Sequence, residues 1–155
     1  MSVYVDTSAL TKRYLSEATS EPFDRFVQAC EVPLQITPLT VTEFHSTLML
    51  RLRMGDLDAD YVERARSSFS IDLQSQLWAW APFPAAAFGD ASQLIQSLGA
   101  PLATLDALHL ASARLFGCQG FATADLRLGR AAERCGLTLH DFSPPGSAAE
   151  SKPRP

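Results

Sequence analysis

The stretch VYVDTSAL, residues 3–10, joins a short apolar run to an acid and two hydroxyl residues. Valine and tyrosine are frequent in strands, whereas Thr7 and Ser8 are residues of the type that begins helices. Asp6 therefore stands where a predicted strand passes into a predicted helix. In an open parallel sheet, this boundary lies at the edge where ligands usually bind.

The same alternation of strand and helix recurs along the whole chain. The pattern predicts strands at 3–5, 34–37, 78–83, 121–123 and 137–139, and helices at 9–15, 21–30, 41–54, 58–77, 85–98, 105–116 and 126–135. Strands separated by one or two helices indicate an α/β fold with a central, mainly parallel five-stranded sheet flanked by helices. We expect one domain over residues 1–142 and a disordered tail, rich in proline and small residues, over 143–155.

The composition excludes several classes of protein. With 155 residues, 46% hydrophobic and 19% charged, the chain fits one globular domain. The net charge of −4 argues against a broadly basic nucleic-acid binder, although neutralisation of four acids by metal would leave the remainder balanced. The three cysteines have no C-x-x-C spacing and form neither a disulfide framework nor a zinc site. No signal peptide or spanning segment is visible, so we expect a cytoplasmic protein without a membrane partner.

Four acids stand near the starts of predicted helices: Asp6, Glu43, Asp106 and Asp125. Taken singly, each has a structural explanation, as a turn residue, a capping-box partner of Thr40, a first-turn acid or an N-cap. If the strands before the first and last acid are neighbours, however, their side chains point into one crevice. Such a cluster repels itself, and Mg²⁺ is a natural remedy because it accepts carboxylate oxygens. The combination indicates metal-dependent chemistry on phosphate.

Four segments, in this order, carry a resemblance to a known family. They are YVDTSAL at 4–10, TVTEF at 40–44, LDALHLA at 105–111 and FATAD at 121–125. Together they resemble PIN-domain proteins, and are most similar to the VapC toxins of prokaryotic toxin–antitoxin pairs, over about residues 1–142. The resemblance implies a three-layer α/β sandwich and a Mg²⁺- or Mn²⁺-dependent endoribonuclease.

The resemblance also implies roles for individual residues. Those that match Asp6 and Asp106 are the direct metal ligands of the family, and those that match Glu43 and Asp125 bind a second ion or hold waters. All four are thus the expected catalytic residues. Supporting side chains are expected at Thr7, Ser8, His109 and Thr123. His109 lies three residues after Asp106, where it can orient that acid or touch substrate, although such a histidine is more often a half-buried helix residue with its hydrogen bonds satisfied.

The remaining expectations concern partners. Candidate phosphate contacts are Lys12, Arg13, Arg127 and Arg130, for which a solvated helix face is the competing explanation. The family implies an RNA substrate, a cognate antitoxin protein and a second copy of the chain. The helices at 41–54 and 58–77 are a candidate surface for these contacts, because the first has more apolar residues than one face needs. These residues are Leu48, Met49, Leu50, Leu52 and Met54.

Three other functions were weighed against this one. A haloacid-dehalogenase-type phosphatase needs a second acid two residues after the first, where this chain has Ser8. A receiver domain needs a lysine after a later strand, and the lysines here are Lys12 and Lys152. The remaining alternative is a non-catalytic RNA-binding or assembly module that has kept the PIN fold, but four intact acids would hinder phosphate binding unless metal is present.

Overall fold

Five short strands form one sheet in the computed structural model, which describes residues 1–146. The strands are β1 (Val3–Val5), β2 (Leu34–Ile36), β3 (Trp78–Trp80), β4 (Gly120–Thr123) and β5 (Thr138–Asp141). Their order is β3-β2-β1-β4-β5, and every pairing is parallel. The predicted α/β fold with a parallel five-stranded sheet is therefore confirmed.

Helices connect the strands and cover both faces of the sheet. Those of the described part of the chain are α1 (Thr7–Tyr14), α2 (Ser20–Ala29), α3 (Pro38–Met54), α4 (Ala59–Gln74), α5 (Ala87–Ser97), α6 (Thr104–Leu115) and α7 (Leu126–Arg134). Successive residues of a strand point to opposite faces. Val3 and Val5 accordingly pack with Phe44 and Phe69 on one side, while Tyr4 joins a second core cluster on the other. These two layers and the sheet make the three-layer sandwich.

Two predicted boundaries differ from the observed ones. β3 ends at Trp80, earlier than the predicted 78–83, because Pro82 and Pro84 lack the N–H that a longer ladder needs. α3 begins at Pro38 rather than at residue 41, since proline suits the first turn of a helix. The capping box of this helix is formed by Thr37 and Thr40.

The early start of α3 changes the position of Glu43. The structural explanation of Glu43 as a capping-box partner of Thr40 does not hold, because Thr40 is already the third residue of the helix. Glu43 lies in the second turn and is free to interact elsewhere.

The central pair of strands brings two distant segments together. β1 pairs with β4 in the register Val3 with Gly120 and Val5 with Ala122. The backbone N–H of Asp6 continues this pairing by donating to the carbonyl of Ala122 at 3.1 Å. The ends of both strands, and the residues that follow them, therefore lie at the same edge of the sheet.

Two predictions concern the ends and surface of the fold. Of the predicted tail 143–155, residues 147–155 lie outside the described part, whereas Pro144 lines the cavity at the sheet edge. None of the helices within residues 1–146 is both long and apolar enough to cross a membrane.

Candidate active site

Asp6 is a buried carboxylate, only 3% exposed, at the end of β1. It caps α1 by accepting the backbone N–H of Ala9 at 2.9 Å. The hydroxyls of Ser8 and Thr123 each donate to it at 2.9 Å, one to each oxygen. Burial raises the pKa of Asp6 above its ordinary value, although these hydrogen bonds and the charge of His109 oppose the rise.

The two hydroxyls that bind Asp6 are fixed by the backbone after β4. Ser8 Oγ accepts the N–H of Ala124 at 2.8 Å, and Thr123 Oγ1 accepts the N–H of Asp125 at 3.0 Å. Because each hydroxyl accepts from this backbone, its own proton is directed towards the carboxylate. Ser8 and Thr123, the two hydroxyl residues predicted to support the site, thus connect Asp6 to the segment that carries Asp125.

Glu43 approaches the cavity from α3 and is held by two side chains. Its Oε2 accepts the Thr7 hydroxyl at 2.7 Å and is hydrogen-bonded to His109 Nε2. Burial alone would raise the pKa of Glu43, but the contacts with His109 and Thr7 outweigh it, so the pKa lies below its ordinary value. This acid therefore stays ionised at neutral pH.

His109 is buried between Glu43 and the opposite layer of the sandwich. Its Nδ1 is hydrogen-bonded to the Tyr4 hydroxyl at 2.9 Å, and that hydroxyl is joined to Thr37 Oγ1 at 3.2 Å. The expectation that this histidine orients Asp106 is replaced by a contact with Glu43. Tyr4 and Thr37 were not anticipated from the sequence, where the only indication was that a buried tyrosine hydroxyl needs a partner.

Asp106 and Asp125 complete the group of acids. Asp106 is half-buried in the first turn of α6, and its pKa is raised to about 6 by burial and by the charges of Asp125, Asp6 and Glu43. Asp125 is exposed and caps α7 by accepting the N–H groups of Arg127 at 2.8 Å and Leu128 at 3.1 Å. The charges of the neighbouring acids thus add to the effect of burial on the pKa of Asp106.

These four carboxylates line one cavity of about 400 Å³. Thr7, Ser8 and His109 also contribute to its wall. Within residues 1–146, no three His, Cys, Asp or Glu side chains form a ready-made cage that could hold a metal ion. Mg²⁺ does not need such a cage, because it keeps several waters and binds proteins through one or two carboxylates. A hard-oxygen donor set with a raised carboxyl pKa fits that mode of binding.

The predicted basic residues are divided between the cavity and other surfaces. Lys12 is buried and lines the cavity. Arg13 instead binds Asp72 at 2.7 Å and Asp24 at 3.1 Å, on α4 and α2. Arg127 and Arg130 are exposed on α7 and do not belong to the cavity lining. Two charged residues of the lining, Glu17 and Arg51, were missed because nothing near them in the sequence marks them.

Comparison with known proteins gives the family. The PIN domain profile matches residues 3–134, and the chain belongs to the PIN-domain family. No curated protein sequence matches it.

Solved structures with the same fold include VapC toxins. The Mycobacterium tuberculosis VapC20, a sarcin-ricin loop cleaving toxin, superposes with a TM-score of 0.65 at 18% identity over 83% of this chain and 94% of its own. VapBC2 from Rickettsia felis, bound to a DNA fragment from their promoter, gives 0.64 at 14% identity over 92% and 100%. FitAcB from Neisseria gonorrhoeae gives 0.60 at 19% identity over 88% and 95%. At these levels of sequence identity, the similarity shows that the fold is shared and nothing more.

Proposed function

We propose that the protein is a Mg²⁺- or Mn²⁺-dependent endoribonuclease and the toxin of a type II toxin–antitoxin pair. The observation that carries the proposal is the convergence of Asp6, Glu43, Asp106 and Asp125, from four separate elements, on one cavity. Membership of the PIN-domain family and the fold shared with VapC toxins support it. A cytoplasmic location and a single domain over residues 1–142 belong to the same proposal.

The four acids have different proposed roles in holding metal and substrate. Asp6 and Asp106 would hold the ion, and Glu43 and Asp125 would bind a second ion or hold waters. When bound there, a divalent ion supplies positive charge for the phosphate oxygens and favours deprotonation of an attacking water. This accounts for a cluster of carboxylates at a site for an anionic substrate, because without a cation the acids would repel phosphate.

Glu43 is the residue best placed to orient the attacking water. Both of its side-chain partners, Thr7 and His109, contact Oε2. Among residues 1–146, Oε1 has no hydrogen bond and can accept one from a water. Since the lowered pKa of Glu43 keeps it ionised, that oxygen remains an acceptor at neutral pH. We expect water to attack with departure of the 3′-oxygen, which leaves a 5′-phosphate and a 3′-hydroxyl.

The experiment is cleavage of RNA with Mg²⁺ or Mn²⁺, with and without EDTA. We expect metal-dependent cleavage by the parent chain, loss of cleavage with Asp106→Asn and full cleavage with Asp58→Asn, which changes the exposed N-cap of α4. Product ends with a 2′,3′-cyclic phosphate would contradict attack by water. Metal-independent binding of RNA with no cleavage by any variant would favour the non-catalytic binding module.

The proposed partners are an antitoxin and a second copy of the chain. Three apolar residues of α3 are exposed, Met49 at 42%, Leu50 at 50% and Met54 at 64%, whereas Leu48 is buried in the core. This supports a contact surface on α3. Sedimentation of the free chain and of Leu50→Glu tests the homodimer, since a monomer in both cases would exclude it.

A further inference from the structure

One carboxylate joins two cations at the margin of the acid cavity. Glu17 Oε2 accepts from Lys12 Nζ at 2.5 Å, and Glu17 Oε1 accepts from Arg51 Nη2 at 2.6 Å. All three residues line the cavity that contains Asp6 and Asp106. Lys12 belongs to α1 and Arg51 to α3, so the carboxylate fixes the separation of two basic groups from different helices.

The carboxylate is anchored by the loop between α1 and α2. The backbone N–H of Glu17 donates to Ser20 Oγ at 2.9 Å, and the carbonyl of Glu17 accepts the N–H of Ser20 at 3.1 Å. Ser20 Oγ in turn donates to the carbonyl of Leu15 at 2.7 Å. A short, closed loop thus holds the acid in place. The two cations are ordered before any ligand arrives, which lowers the entropic cost of binding one.

Both cations keep donors that Glu17 does not use. A lysine ammonium has three N–H groups and a guanidinium five, and the carboxylate takes one from each. Asp56 forms a second, longer ion pair with Arg51, at 3.9 Å from Nη1, which is beyond hydrogen-bonding distance and so leaves the N–H groups of Nη1 available. The adjacent residue Arg13 differs from Lys12, because the guanidinium of Arg13 binds Asp72 and Asp24 away from the cavity. Lys12 and Arg51 therefore remain able to bind an anion in the cavity.

We propose that Lys12 and Arg51 form a phosphate-binding subsite, which holds a backbone phosphate of single-stranded RNA next to the one that is cut. The inference rests on the proposed function, because it concerns the same substrate. The acids of the cavity need a cation before phosphate can approach, whereas the N–H groups of Lys12 and Arg51 that Glu17 leaves unused can donate directly to a phosphate oxygen. An RNA strand carries a phosphate at every nucleotide, so a strand that reaches the acids brings a second phosphate to the cations.

The test is the salt dependence of RNA binding, measured by fluorescence anisotropy with a fluorescein-labelled single-stranded oligoribonucleotide. The chain carries Asp106→Asn so that the probe is not cleaved. Each phosphate contact on a single strand contributes about 0.7 to the slope of log affinity against log salt concentration. Because both cations hold the same phosphate, we expect Arg51→Gln or Lys12→Gln to reduce that slope by up to about 0.7, and the double variant to reduce it by about 0.7 in all. The matched control, Arg53→Gln, changes an exposed arginine of the same helix outside the cavity lining and leaves the slope unchanged.

Several results would overturn the subsite. An unchanged slope in Arg51→Gln, or an equal reduction in Arg53→Gln, excludes a specific contact. Because Lys12 is buried, thermal unfolding is measured for each variant, and lower stability with an unchanged slope shows a purely structural role. Arg51→Lys, which keeps the charge, should retain the slope. The same slope change with a polyglutamate peptide in place of RNA would assign the site to an acidic protein segment.

The design also separates this inference from the proposed function. Cleavage of RNA by the parent chain is measured separately from the salt dependence of binding. A chain that binds RNA through Lys12 and Arg51 but never cleaves it contradicts the nuclease and supports the subsite. A chain that cleaves RNA, with unaltered salt dependence of binding in both Arg51→Gln and Lys12→Gln, contradicts the subsite alone.

Discussion

At the scale of single residues, the surroundings of each acid decide its charge. Glu43 has two hydrogen-bond partners that favour its ionised form, and its pKa is lowered. Asp106 is half-buried and faces other acids, and its pKa is raised to about 6. Two carboxylates in one cavity therefore differ in proton affinity. Glu43 is ionised throughout and can accept hydrogen bonds at any neutral pH. The ionised form of Asp106 is less favoured, so a nearby cation would stabilise it more than it would stabilise Glu43.

The raised pKa of Asp106 predicts a dependence of stability on pH. A carboxyl whose pKa is higher in the folded chain stabilises the fold fully below its ordinary value, 3.8, and this contribution is lost as the pH rises through about 6. Asp106→Asn cannot ionise, so it should be more stable than the parent above that pH in EDTA. An unscreened shift of this size corresponds to about 3 kcal/mol, which partial exposure reduces to about 1 kcal/mol.

Thermal unfolding from pH 4 to pH 8 measures this difference. The gap between Asp106→Asn and the parent should close towards pH 4, where both side chains are uncharged. Asp58→Asn is the matched control, because it replaces an exposed helix cap with another good cap. A gap that is constant with pH would contradict the prediction.

Tyr4 is predicted to be a positioning residue that acts on Glu43 through His109. Tyr4→Phe removes the hydroxyl between His109 Nδ1 and Thr37 and leaves both without this partner. Loss of a buried partner costs about 1–3 kcal/mol of stability. Removal of groups that orient site residues commonly lowers activity about 10–100-fold, and we expect such a loss in kcat with little change in KM.

Tyr14→Phe provides the control for the stability effect. The Tyr14 hydroxyl is also buried and hydrogen-bonded, to Asp72 at 2.7 Å and to Trp78 Nε1 at 2.8 Å, but neither of these partners lines the cavity, as His109 does. Its loss should destabilise the fold to a similar degree while cleavage is retained. Equal kcat values for the two variants would show that Tyr4 is only structural.

At the scale of elements, the site depends on the close packing of the central strands. Gly120 begins β4, between β1 and β5. A Cβ at this position would lie 2.8 Å from Val3 Cγ2 and 3.0 Å from His140 Nε2. β4, which places Thr123 beside Asp6, thus needs glycine at position 120 because a side chain would clash there, and not because of the backbone angles.

Gly120→Ala should therefore destabilise the fold. Forcing additional atoms into a packed core costs about 1–3 kcal/mol. Gly89→Ala is the comparison, since a Cβ there has no atom within 4 Å and the residue lies in helix α5. That change should stabilise the protein by about 0.5–1 kcal/mol, because alanine is the better helix former. Denaturant titration measures both, and a neutral Gly120→Ala would show that the strands can move apart.

At the scale of the whole molecule, the proposed metal binding would stabilise the fold. The cavity takes acids from the end of β1, from α3 and α6 and from the β4–α7 turn, so an ion bound there would join segments from most of the chain. A ligand at a hundred times its Kd adds about 2.7 kcal/mol to the stability of the state that binds it. For a domain of this size, that corresponds to a rise in Tm of roughly 5–10 °C.

We expect Mg²⁺ or Mn²⁺ to raise the Tm of the parent chain and of Asp58→Asn. Asp106→Asn should lose most of the rise, since it removes a proposed ligand. Differential scanning calorimetry at pH 7.5 with EDTA as the reference measures the shift. An equal rise in all three chains would point to ion binding elsewhere on the molecule.

Much of this architecture could be predicted from the sequence because its signals are local. Apolar runs, hydroxyl caps and terminating glycines lie within a few residues of the elements that they define. The likeness of residues 4–10 and 121–125 to known motifs indicated which acids to compare. The start of α3 was misplaced because Thr37 and Thr40 are both good capping residues, and only the observed hydrogen bonds distinguish them.

By itself, the sequence determined the α/β fold, the parallel sheet and the four acids at its edge. Tertiary structure alone decided that β1 and β4 are neighbours, that His109 supports Glu43 rather than Asp106, and that Glu17 joins Lys12 to Arg51. The physical reason is separation along the chain. A helix cap or a strand depends on adjacent residues, whereas a hydrogen bond between residues 4 and 109 exists only after the layers have packed and leaves no local pattern in the sequence.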